Sequence, residues 1–117
     1  MKFYYLKTCN TCTRIIKELE LSKDVDMQDI KSNPITVKQL EAMKALAGSY
    51  EALFNKRAKL YKEMGLKDQT LTEKDFKYYI LEHYTFLKRP VLLFDNQIFI
   101  GNSKKTIESA KQAINEK

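Results

Sequence analysis

Apolar and polar positions recur along this chain with two different periods, and the changes of period divide it. Phe3-Tyr4-Tyr5-Leu6 is a short uncharged run and reads as a buried strand. From Cys12 to Leu21 the apolar positions Ile15, Ile16 and Leu19 fall on one helical face. Val25-Asp26-Met27-Gln28-Asp29-Ile30 then alternates apolar with polar, the pattern of a half-exposed second strand. Strand, helix and strand within about 30 residues make a βαβ unit with parallel strands.

Asn33-Pro34 breaks the pattern, and from about 36 to 84 every signal is helical. Thr36 with Gln39 forms a capping box, Val37, Leu40, Met43, Leu46 and Ala47 supply the stripe behind it, and Gly48 ends it. Tyr50, Leu53 and Phe54 suggest a short helix; Leu60, Tyr61 and Met64 suggest another that closes at Gly65. Thr72 with Asp75 is a second capping box, and Phe76, Tyr79, Ile80 and His83 form the apolar face after it. The helical period then ends. Val91-Leu92-Leu93-Phe94 is a buried strand entered from Pro90, Asp95-Asn96-Gln97 a turn, and Ile98-Phe99-Ile100 the returning strand of a hairpin. Gly101 breaks it, and Asn102 or Ser103 caps a last amphipathic helix carrying Ile107, Ala110 and Ile114. The expected order is β-α-β, a helical insertion, then β-β-α.

Composition changes this picture little. The chain has 117 residues, one domain's worth, with 44% hydrophobic and 31% charged residues. No apolar run approaches the roughly 18 residues of a membrane span, and no signal-peptide pattern opens the chain, so a cytoplasmic protein without a membrane partner is expected. The net charge of +6 suits an anionic ligand or partner as well as plain solubility. The lysines are scattered, so direct nucleic-acid binding is not expected.

The chemistry lies in Cys9-Asn10-Thr11-Cys12, between the first strand and the first helix, with the only two cysteines of the chain. A helix start presents free N–H groups and the positive dipole end, which favour thiolate over thiol at Cys9. Cys12 is within reach, so a disulfide can close and reopen. In a reducing compartment such a bond is transient and functional. Inert packing of either cysteine is the plain alternative. Zinc is not expected, because two cysteines and one histidine fall short of four ligands. His83, without a catalytic partner in the sequence, reads as a packed or capping histidine.

The β-α-β and β-β-α halves, the Cys-x-x-Cys at the first helix and a proline entering the third strand together resemble a thioredoxin/glutaredoxin-like α/β fold. A four-stranded mixed sheet is expected, with a core at about 1–35 and 85–117 and a helical insertion at about 36–84. The proline is expected to follow a cis Arg89–Pro90 bond facing the sulfurs. The helical middle and Leu87-Lys88-Arg89-Pro90-Val91 narrow the resemblance to the arsenate reductase (ArsC)/Spx family, over nearly the whole chain as a single domain.

That resemblance implies Cys9 as attacking thiol, Cys12 as resolving thiol, Pro90 as the active-site cis-proline, and Arg89 and Arg57 as anion- or thiolate-stabilising residues; Arg14, one place later than the family's arginine, is expected to join them as a charge near Cys9. In the reductases three arginines meet the oxyanion. Arg89 matches one, while the others fall at Asn55 and Gly101, so arsenate reduction is expected to be weak or absent. The Spx side of the family has an arginine two places later, matched by Arg57, and a glycine where Gly101 stands. Two readings stay open. One is a thiol-dependent oxidoreductase of a monomeric protein, with no bound cofactor, using glutathione or glutaredoxin as co-substrate or partner. The other is a redox-switched regulator that binds RNA polymerase.

Overall fold

The computed structural model describes residues 1–116. By its internal contacts the chain divides into two compact units, Met1–Asn33 together with Arg89–Lys117, and Pro34–Lys88.

The first unit is built on a four-stranded mixed sheet of order β2-β1-β3-β4, from β1 (Lys2–Tyr5), β2 (Asp26–Asp29), β3 (Val91–Phe94) and β4 (Gln97–Ile100). β2 runs parallel to β1 with Tyr5 opposite Asp29, and β3 runs antiparallel to β1 with Phe3 opposite Leu92. β3 and β4 form a hairpin closed by Phe94 and Gln97. Its turn is two residues, Asp95 and Asn96, both left-handed (φ 52° and 61°), so Gln97 belongs to the strand. Asp and Asn tolerate that region better than most residues, which is why the hairpin turns without glycine.

Helix α1 (Asn10–Glu18) follows β1 and α5 (Lys104–Asn115) follows β4. Their apolar stripes cover one face of the sheet. Phe3, Ile15, Leu19, Leu92, Ile107 and Ala110 make the core there, with Tyr5, Val25, Phe94 and Phe99 packed around it. Ser103 rather than Asn102 caps α5, accepting the Thr106 N–H at 3.1 Å. The alternation read in 25–30 holds as a strand but not as a burial pattern. Met27 is 36% exposed, whereas polar Gln28 is 5% exposed, its Nε2 donating to the Asn33 carbonyl at 2.9 Å. β2 is an edge strand: alternation decides which residues share a face, but not how far that face is covered.

The second unit holds α2 (Val37–Ala47), α3 (Lys59–Glu63), α4 (Glu73–Glu82) and three single-turn 3₁₀ segments, Glu51–Leu53, Leu66–Asp68 and Tyr84–Phe86. Both capping boxes form. Phe54 is its centre, with ring centroids of Phe76, Phe86 and Tyr61 at 4.9, 5.3 and 5.7 Å. Among the described residues no helix is long and apolar enough to cross a membrane.

Candidate functional site

Parallel pairing ends β1 and β2 side by side, and the chain leaves Tyr5 into a tight turn in which the Cys9 N–H donates to the Leu6 carbonyl at 2.9 Å. Cys9 thus arrives at the N-cap of α1 with extended backbone (φ −89°, ψ 115°), and its carbonyl accepts the Thr13 N–H at 3.1 Å and the Thr13 hydroxyl at 3.3 Å. Cys12 lies in the first turn of the helix, on the side that α1 buries.

The two sulfurs therefore live in different surroundings. Cys9 is half-buried, while Cys12 is 0% exposed, and both are free thiols. Partial burial works against a Cys9 thiolate, but it is overcome by the Cys12 N–H, the Cys12 thiol, the Thr11 N–H and the charge of Arg89, so the Cys9 pKa is lowered. No well-formed side-chain cap bond exists at Cys9. The Thr11 and Cys12 N–H groups still lie close enough to its large sulfur to favour the anion. Burial pushes the Cys12 thiol up to about 11. The Leu6 N–H opposes this, the hydrogen bond and charge of Cys9 add to it, and Arg89 opposes it. The arrangement favours the anion at the rim sulfur of Cys9 and keeps the thiol of Cys12 beneath it protonated and donating to it.

Arg89 precedes β3 through a cis Arg89–Pro90 peptide. Its Nη1 is buried with no hydrogen-bond partner. A guanidinium N–H held dry and unpaired is a costly state that an anion would relieve. Gly101, after β4, donates its N–H to the Pro90 carbonyl at 2.9 Å and has φ +88°, which L side chains rarely adopt. The backbone there suits glycine, whatever charge is forgone.

The other expected residues stand differently. Arg14 is exposed on α1 and is not among the charges acting on Cys9, nor is Lys7. Five positions past the N-cap, Arg14 lies on the solvent side of its helix. Arg57 belongs to the second unit, exposed ahead of α3, its N–H donating to Asn55 Oδ1 at 3.0 Å. Asn55 spends its side chain within that unit, its Nδ2 donating to the Thr85 carbonyl at 3.4 Å. His83 caps the Tyr84–Phe86 turn, its Nδ1 accepting the Thr85 N–H at 3.1 Å, and stacks on Tyr84 at 4.6 Å. Among the described residues no group of three or more His, Cys, Asp or Glu could hold a metal ion. Sequence reasoning missed Leu6, Thr13 and Asp29, the last accepting the Lys7 N–H at 3.2 Å. No local signal marks them, because each acts through a backbone group or across the sheet.

A mixed sheet with two sulfurs at the first helix start and a proline at the facing strand defines a thioredoxin-like α/β protein. More narrowly, this chain belongs to the ArsC family, whose model matches residues 4–110. "Global transcriptional regulator Spx 2" of Bacillus anthracis is 27% identical over 107 residues, 89% of this chain and 81% of that protein. An ArsC family related protein from Bacteroides fragilis superposes with a TM-score of 0.77 at 25% identity, covering 93% of this chain and 95% of the other. The arsenate reductase from Vibrio cholerae gives 0.75 at 18% identity, over 96% and 97%, a likeness of fold.

Proposed function

We propose that this protein is a thiol–disulfide redox protein in which Cys9 attacks and Cys12 resolves. The observation that carries the reading is the divergence of the two thiols, one favoured as thiolate at the rim and the other enclosed and held protonated. The Cys9 thiolate attacks a disulfide, forming a mixed disulfide and releasing one thiolate. Cys12 then attacks the Cys9 sulfur, its proton passes to the second departing thiolate, and the pair is left oxidised while the substrate is reduced to two thiols. With peroxide, Cys9 becomes a sulfenic acid and Cys12 displaces water from it. Glutathione or glutaredoxin is the proposed source of reducing equivalents. Arsenate is proposed as a poor substrate at best, since Arg89 alone remains of the three family arginines.

The test is mass spectrometry of the reduced chain after mild peroxide. Wild type is expected to lose two hydrogens, and Cys12→Ser, which lacks the second thiol, to retain a sulfenic or over-oxidised Cys9. If wild type forms no internal disulfide, the two-thiol reading fails and a single-thiol reductase replaces it. The similarity to an Spx regulator over 107 residues favours a second reading, in which the same disulfide switches contact with RNA polymerase. Polymerase capture that differs between the reduced and oxidised chain, without turnover of any thiol substrate, would select it.

A further inference from the structure

The turn that carries Cys9 has no side-chain support of its own. Lys7 and Thr8 are exposed, and within the turn the Cys9 N–H is bonded back to the Leu6 carbonyl. The support comes from the neighbouring strand. Asp29 ends β2 in register with Tyr5, the last residue of β1, so its side chain stands beside the point where the chain turns away. Asp29 Oδ1 accepts the Lys7 N–H at 3.2 Å and the Lys31 N–H at 3.5 Å, and Oδ2 accepts the Ser32 hydroxyl at 2.9 Å. One residue on, the Ile30 N–H donates to the Tyr5 carbonyl at 3.0 Å. The carboxylate is thus fixed by Ser32 and Lys31 from the turn that follows its strand. It reaches 22 residues back in sequence to hold the middle of the turn at Lys7. Its pKa is lowered: burial is the largest single effect and works against the anion, but the Lys7, Ser32 and Lys31 donors together outweigh it.

We propose that Asp29 is a positioning residue for Cys9, clamping the Leu6–Cys9 turn so that the sulfur stays against the N–H groups of Thr11 and Cys12. It touches no reacting atom; it acts through Lys7 and the turn. The assignment rests on the reading of Cys9 as the attacking thiol. Two effects of the carboxylate oppose each other. Its negative charge disfavours a nearby thiolate, whereas its acceptor oxygen holds the geometry that favours one. Charge and position are separable, because asparagine keeps an acceptor at Oδ1 without the charge, and glutamate keeps the charge but moves the acceptor by a methylene.

The experiment measures the rate of iodoacetamide alkylation of Cys9 against pH in the reduced full-length chain, for wild type and for Asp29→Ala, Asp29→Asn and Asp29→Glu. Thermal unfolding is followed in parallel. Cys12, enclosed and protonated, stays out of the reading. The Ala and Glu variants are expected to shift the midpoint upward and to react roughly three- to tenfold more slowly near neutral pH, the scale of weakened hydrogen bonds to an anion. Asn should stay within about twofold of wild type by the same principle. A wild-type profile in the Glu variant overturns the proposal, even if the Ala variant does not fold. So does a midpoint that falls in the Asn and Ala variants alike, which would mean that charge alone matters. Alkylation is read whether or not a disulfide forms. Failure of the redox reading and failure of this assignment are therefore separate results.

Discussion

Raising the pH from about 9 to 10.5 should strip the proton from Cys12 in the unfolded chain but not in the folded one. Cys12 is fully enclosed, and burial first, then the hydrogen bond and charge of Cys9, move its pKa from an ordinary 9.0 to about 11 against the pull of the Leu6 N–H and Arg89. Each unit of displacement is worth about 1.4 kcal/mol, so the protonated thiol contributes up to about 3 kcal/mol. Between the two values the folded state holds the extra proton. The contribution is therefore complete below the unfolded pKa and is lost as the pH rises toward the folded one. Cys9 has the opposite sign. Its folded pKa is lowered, so its contribution is present above the unfolded value and is lost as the pH falls through the folded one. Tyrosines and lysines titrate in the same alkaline range, so the measurement is a difference. Reduced wild type and Cys12→Ala are unfolded by denaturant at a series of pH values. The cavity left by the missing sulfur costs the same at every pH, so the gap between the two proteins should shrink by about 1.5 kcal/mol from pH 9 to 10.5. A gap that stays constant would refute the argument that Cys12 is held as a thiol by its surroundings.

Arg89→Ala should slow alkylation of Cys9 near neutral pH by roughly threefold, since Arg89 acts on that thiolate after the N–H donors. It should cost little stability, because its Nη1 makes no hydrogen bond that would be lost; an unchanged rate would remove Arg89 from the site. Arsenate turnover with glutathione and glutaredoxin should be at or near background, as two missing charge-assisted contacts weaken transition-state binding by a factor on the order of 10² or more. Robust turnover would show that another group supplies the charge. Gly101→Ala should lower stability by about 1–2 kcal/mol in denaturant unfolding, the price of a side chain at φ +88°. A methyl there meets no atom within 4 Å, so a larger loss would require a cause other than backbone conformation.

Much of this was legible in residue order because the signals are local. The uncharged apolar runs at 3–6, 91–94 and 98–100, the capping boxes at Thr36 and Thr72, and glycines at 48, 65 and 101 each describe a few neighbouring residues, and the elements formed where they stand. Cys-x-x-Cys after a strand and proline before another were readable for the same reason. What was not readable depends on cover and on pairing across the sheet. Met27 shares a sheet face with Phe3 but stays exposed because β2 lies at an edge, whereas Gln28 on the other face is buried. Arg14 reads as a cation near two cysteines until the helix turns it to solvent. Asn55 reads only as the place of a missing arginine until its amide is found bonded to Thr85 and its oxygen to Arg57. Asp29 reads as the end of an alternating strand until parallel pairing sets it beside Lys7.

The asymmetry of the thiols also bears on the order of events in the proposed chemistry. In the resting pair Cys12 donates to Cys9, and that bond and the Cys9 charge both help to keep the Cys12 proton in place. Once Cys9 is tied up in a mixed disulfide it carries no charge and no longer accepts that hydrogen bond as an anion. The Cys9 share of the elevation then disappears, while the Leu6 N–H and Arg89 continue to favour a Cys12 thiolate. Burial, the largest cause, remains, so Cys12 does not become a free nucleophile for solvent. It becomes more acidic only when the neighbouring sulfur is the one to be attacked. In the proposed chemistry the resolving thiol is thus quiet at rest and becomes more acidic after the first step. It does so through the same two residues that close the disulfide, without any additional base.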